Sequence, residues 1–172
     1  MKFILATLFL SLLTISFTSK RELPKIEIYR LKDFFKNPSH YNGLPGEFRV
    51  TKEELADTPL IKNEEILSYD TIRYNITFSK SGVQKIKDLK PFLPLGVQFA
   101  ITVDKKPVIT GYILNKFSSY GCASFALFNI GDSTQYILKG LPEGEYNNKI
   151  PESRNNRELI DAFKITKRVK GS

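Results

Sequence analysis

A chain of 172 residues, 41% hydrophobic and 26% charged, has the balance of a folded globular protein rather than a disordered one, and room for one domain with a sizeable core. Thirteen Phe, eight Tyr and no Trp argue for aromatic-rich sheet faces and against a Leu/Ala-rich helical bundle. One Cys excludes an intramolecular disulfide, one His beside it excludes a zinc site built without carboxylates, and a net charge of +8 leaves anionic partners open.

The chain opens on "MKFILATLFLSLLTISFTSK": Lys2, an uncharged and mostly apolar run from Phe3 to Phe17, then Thr18 and Ser19. This is the layout of a secretory signal peptide, residues 1–19, with an apolar run short of the roughly 20 residues that span a bilayer comfortably. Ser16 and Thr18 best fit the small-residue positions before a cleavage site, which puts cleavage after Thr18; an uncleaved N-terminal anchor is the alternative. No Cys lies nearby to carry a lipid. No later run approaches membrane length, so the mature domain is expected outside the cytoplasm, secreted or periplasmic, without disulfides.

Next, Ile26 and Ile28 alternate with charged neighbours and predict a short strand. Residues 36–46, with two Pro, two Gly and two Asn, predict a loop. Thr51 followed by Glu53 and Glu54 predicts a capped helical turn, ended by Pro59. In "DTIRYNITFS", Ile72, Tyr74, Ile76 and Phe78 alternate with Arg73, Asn75 and Thr77, which predicts a half-buried strand with a polar face. Ser79 or Ser81 then caps a helix whose Val83, Ile86 and Leu89 form one apolar stripe, stopped by Pro91. "VQFAITVD" and "PVITGYILN" predict a hairpin with Asp104, Lys105 and Lys106 at its turn. Two further strands are expected over 122–130 and 133–141, joined through Gly131 and Asp132. A loop follows, then a helix over 156–165 with Leu159, Ala162 and Phe163 on one face. The chain ends in a basic knot of Lys164, Lys167, Arg168 and Lys170, expected to be a solvated tail.

This order predicts an α+β fold with a mainly antiparallel sheet and helices packed on one face. Residues 20–60 form an N-terminal strand, loop and short-helix segment, and residues 61–172 form the main domain with its C-terminal helix.

Few residues point to chemistry. Cys122, in "SSYGCASF", would need a His to hold its thiolate, and the chain's single His, His40, sits in the 36–46 loop; a small buried hydrophobe is the expected role. Glu64 with Glu65 and Glu143 with Glu145 are pairs without a third ligand at fixed spacing. Asn75-Ile76-Thr77 is formally a glycosylation sequon, though in a strand. No catalytic, cofactor-binding or metal-ligating residue is assigned. Export and the lack of aromatic-basic interleaving argue against nucleic acid.

The stretch from Leu60 to Ile113 resembles the periplasmic head subdomain of the SecD protein-translocation subunit. The strand Tyr74-Asn75-Ile76-Thr77-Phe78, the helix entry Ser79-Lys80-Ser81-Gly82 and the hairpin from Ala100 to Ile109 carry the resemblance, with Lys105 where that family has a turn glycine. The family's membrane-spanning part is not matched. Beyond Ile113, Gly111-Tyr112-Ile113, Ser118-Ser119-Tyr120-Gly121-Cys122 and Arg154-Asn155-Asn156 resemble small secreted proteins of Bacteroidetes type. The resemblance implies a SecD-head-like α+β fold and a place in the cell envelope. The expected function is a non-catalytic interaction or accessory module with a protein partner there. The alternatives are a secreted hydrolase using carboxylates or Cys122, and an inhibitor or immunity-like binder.

Overall fold

The computed structural model describes residues 22–33, 40–41, 44–89, 96–115, 121–142 and 148–171. The signal-like segment, Pro91, Glu143 and Glu145 lie outside them. In chain order the elements are β1 Ile26–Arg30, β2 His40–Tyr41, β3 Leu44–Pro45, β4 Ile66–Asp70, β5 Asn75–Phe78, α1 Lys80–Lys87, β6 Val97–Val103 and β7 Lys106–Leu114. There follow β8 Cys122–Phe128, β9 Thr134–Tyr136, β10 Leu138–Leu141, α2 Arg157–Ile165 and β11 Val169–Lys170, with single 3-10 turns at Lys52–Glu54 and Asn63–Glu65. The class is α+β, as the sequence predicts, with mostly antiparallel pairing.

The strands divide between two principal sheets. The larger has the order β1-β6-β7-β8-β10, antiparallel except where β8 runs parallel to β7; the smaller has the order β11-β4-β5-β9, antiparallel except for β11 on β4. Alternating side chains of the large sheet, among them Ile28, Phe99, Ile101 and Phe125, share one core with Ile66, Tyr69, Ile76 and Phe78 of the small sheet. Both helices pack into this core through Ile86, Leu159 and Phe163, and the Phe163 ring stacks on Tyr69 with centroids 5.2 Å apart. Ser79 caps α1 by accepting from Gly82 N–H, and Asn156 caps α2 by accepting from Leu159 N–H.

The opposite face of the large sheet is covered too. Tyr29, Ala100, Tyr112, Leu114, Cys122 and Ala126 lie beneath Leu31, Phe48, Val50 and Leu55. Two hydrogen bonds hold this cover: the Thr110 hydroxyl donates to Phe48 O at 2.6 Å, and the Tyr112 hydroxyl to Gly46 O at 3.3 Å. Burial on both sides is why β6 reads as a near-continuous apolar run. β1 pairs with β6 along its length, so residues from the 20–60 segment and the 61–172 segment share one sheet.

Several sequence expectations are corrected. The alternating run from Ile72 to Phe78 is not one strand. The Asp70 carboxylate accepts from the N–H groups of Ile72 and Arg73, which turns the chain there; Ile72 is exposed and Tyr74 sits at a φ of 52°. What forms is the β4–β5 hairpin, and β4 escaped notice because "ILSYD" alternates poorly around a bulge at Leu67. The run 133–141 is likewise two strands. β9 joins the small sheet, β10 joins the large one, and Ile137 is the corner between them. A single apolar run cannot reveal which sheet it serves. The predicted 36–46 loop contains the small β2–β3 ladder. The turn capped by Thr51 ends at Leu55, which bridges to Leu31, not at Pro59.

The basic tail is also not free: β11 pairs parallel with β4, led in by Lys167 at a φ of 56°. The hairpin tip is Asp104 and Lys105 alone, at φ values of 50° and 63°, and Lys106 already belongs to β7. Two successive left-handed residues make a type I′ turn, a geometry that favours glycine at the second position. Lys105→Gly should therefore raise stability by about 0.5–1 kcal/mol, read as a higher midpoint in urea unfolding; an unchanged or lower midpoint would contradict this turn.

Candidate functional site

The small sheet has one face on the core; on the other, exposure grows toward the edge strand β9, where Thr134 and Tyr136 are exposed while Ser68 and Asn75 are buried. Strand register puts Ser68, Thr77 and Thr134 in one row across its outer face, and Asp70, Asn75 and Tyr136 in the next. The Thr77 and Thr134 hydroxyls meet at 3.3 Å. Two large apolar side chains stand out of this polar surface: Leu67 at 49% exposure, on the bulge, and Tyr136 at 55% on the edge strand β9. Beside Leu67 is a hollow of about 340 Å3 lined by Thr77, Phe78, Lys80 and Val83, where α1 leaves the sheet. Of the polar face expected from the sequence, Asn75 and Thr77 are in place and Arg73 has moved to the turn. Asn75 is 8% exposed within β5, so the sequon lies in a buried ladder. Leu67 and Tyr136 were missed because an apolar side chain in a strand reads as core until the register is known.

Cys122 lies on the covered face of the large sheet, fully buried, with its thiol donating to Ser124 O at 3.5 Å. Burial pushes the thiol up to about 11, far from a thiolate at neutral pH. Its polar neighbourhood includes Tyr112, also pushed up by burial to about 12, whose hydroxyl accepts from Gln98 Nε2 at 3.5 Å. Of His40 only the backbone is described, in β2. A thiol reagent at neutral pH should leave Cys122 unmodified in the native protein and label it once per chain in denaturant; fast native labelling would contradict this burial.

The carboxylates divide among three settings. Glu65 is buried, and accepts from Lys85 Nζ at 2.7 Å and Lys62 N–H at 2.9 Å, while Glu64 is exposed. Burial draws the Glu65 carboxyl up, but Lys85, Lys62 and Ser81 outweigh it and hold the group below the usual carboxylate range. Glu152 is gripped by the Arg154 fork, Nε at 2.9 Å and Nη2 at 2.7 Å, with Lys139 Nζ at 3.6 Å. The Arg154 hydrogen bonds hold it low. Arg154 also lies 4.0 Å from the centre of the Tyr74 ring and donates to Ile137 O, bracing the corner between the sheets. Glu47 differs: burial raises its carboxyl against the pull of Arg49 and Lys139, and it borders a hollow of about 280 Å3.

Among the described residues no three His, Cys, Asp or Glu side chains gather as a metal site would need, and no helix is long and apolar enough to cross a membrane. No model of a known protein family, no curated protein and no solved structure matches the chain.

Proposed function

We propose that the protein is exported and works as a non-catalytic interaction module, presenting the exposed part of the outer face of its small sheet, around Leu67 and Tyr136, to a protein partner in the cell envelope. The observation that carries this reading is the pair Leu67 and Tyr136, exposed on an otherwise polar sheet face, with a hollow of about 340 Å3 beside Leu67. An exposed apolar group ringed by hydroxyls and amides is the usual make-up of a docking patch, with a buried anchor and a polar rim. The signal-like N-terminus and the resemblance of residues 60–113 to the SecD head support the compartment.

The test is capture from envelope extract by wild-type protein and by a Leu67→Asp/Tyr136→Ala variant. The reading expects one stoichiometric partner with the wild type and its loss in the variant at unchanged thermal stability. Equal capture by both, or no reproducible partner, would overturn it.

A hydrolase reading has one observation in its favour. Glu47 and Glu152 are pushed in opposite directions around the shared Lys139, as paired acid and base groups are. The Arg154 fork occupies both Glu152 oxygens, which is why the docking reading is preferred.

A further inference from the structure

Where the chain enters β1 lies a third, larger hollow of about 640 Å3, walled by Leu23 and Pro24 and reaching Arg168. Its size falls within the range of about 300–1,000 Å3 typical of small-molecule sites. Arg168 makes this hollow more than a surface dent. Its guanidinium is partly buried and has five N–H donors. Four are used: Nε donates to the Thr166 hydroxyl, Nη1 to Asn63 O and Ile66 O, and Nη2 to Asn63 Oδ1. One Nη2 donor remains.

All four acceptors are neutral. No carboxylate among the described residues pairs with Arg168, although Glu65, Glu152 and Glu158 all have cationic partners. The Phe163 ring, 5.6 Å from the guanidinium carbon, is its only compensating neighbour of another kind among the described residues. A partly buried cation without a counter-charge is unusual, because desolvation is ordinarily offset by an anion.

We infer that this hollow binds a small aliphatic carboxylate, its carboxyl group on Arg168 and its apolar body along Leu23 and Pro24. The single remaining donor suits a monoanion. Glu22 and Glu64 at the rim select against a phosphate dianion, since Lys25, 3.3 Å from Glu22, offsets only one of them. The hollow shares no lining residue with the one beside Leu67, and its binding does not depend on the docking reading above.

The test is titration of the purified full-length protein, followed by NMR or calorimetry, with sodium octanoate, octanol and inorganic phosphate. Octanoate is expected to saturate at millimolar concentration or below, with octanol and phosphate about tenfold weaker or more. Leu23→Asp, at a position 61% exposed, should abolish octanoate binding without lowering the unfolding temperature. Glu64→Gln should tighten it about twofold by removing a like charge at the rim. Octanol binding as tightly as octanoate would reduce the site to greasy surface. Phosphate binding as tightly would overturn the carboxylate assignment, and insensitivity to Leu23→Asp, or no saturable octanoate binding, would overturn the site itself.

Discussion

Replacing Gly111 with Ala should cost about 3–5 kcal/mol and lower the melting temperature by roughly 10 °C, with far-UV circular dichroism reporting a partly unfolded chain at moderate temperature. Gly111 is where β7 first meets β8, opposite Phe125. A Cβ built there would lie 2.2 Å from Phe125 O and 2.8 Å from its carbonyl carbon. Those are backbone atoms of a central strand, so no side-chain rotation relieves the clash; the parallel β7–β8 pair would have to separate. Gly131 makes the control, because a Cβ there meets nothing within 4 Å and Gly131→Ala should change stability by less than about 0.5 kcal/mol. Equal losses at both positions would mean that β7 and β8 do not approach as described.

The second large effect concerns Arg168. Replacement by Met keeps the stem and removes the fork, leaving Asn63 O, Ile66 O and the Asn63 side chain short of donors at the base of the small sheet. The Asn63 side chain also accepts from Ile26 N–H, so one guanidinium ties together the start of β1, the second 3-10 turn, β4 and β11. The expected loss is about 2–4 kcal/mol. Lys at this position should recover part of it, because a single ammonium cannot reproduce the fork. The informative readout is amide exchange at Tyr69 and Thr71, which donate to Arg168 O and Lys170 O. Both should lose protection in Arg168→Met before the rest of the sheet does. Protection retained at both would show that β11 docks without its clasp.

The legible part of this fold was local. Caps, helical stripes and the β6–β7 hairpin follow from neighbouring residues: Ser79 caps α1, Leu159, Ala162 and Phe163 line α2, and β6 with β7 flanks a tight charged turn. What could not be read depends on partners distant in sequence. The corner at Ile137 exists because β9 finds β5 while β10 finds β8. Arg168 reads as one charge in a solvated tail because three of its four acceptors lie in residues 63–66. Leu67 and Tyr136, the centre of the proposed docking face, have the sequence signature of core residues. Only pairing decides that they face out. Cys122 was legible for the opposite reason, since an apolar strand context on both sides of a small thiol already implies burial.

The pairing of β1 with β6 also bears on when this protein can fold. Ile28 lies opposite Ile101, and the Tyr69 N–H donates to Arg168 O, so β1 and β11 are both completed across long stretches of chain. Closing such loops is slow compared with zipping a hairpin. A chain threaded through a narrow channel N-terminus first would present β1 long before β6 emerged, and β4 long before β11. Until both arrive, neither sheet has its full complement of strands, and the shared core stays open. Such delayed closure keeps a polypeptide pliable in transit and lets it lock only on arrival, which is what passage across a membrane requires of the exported chain proposed here.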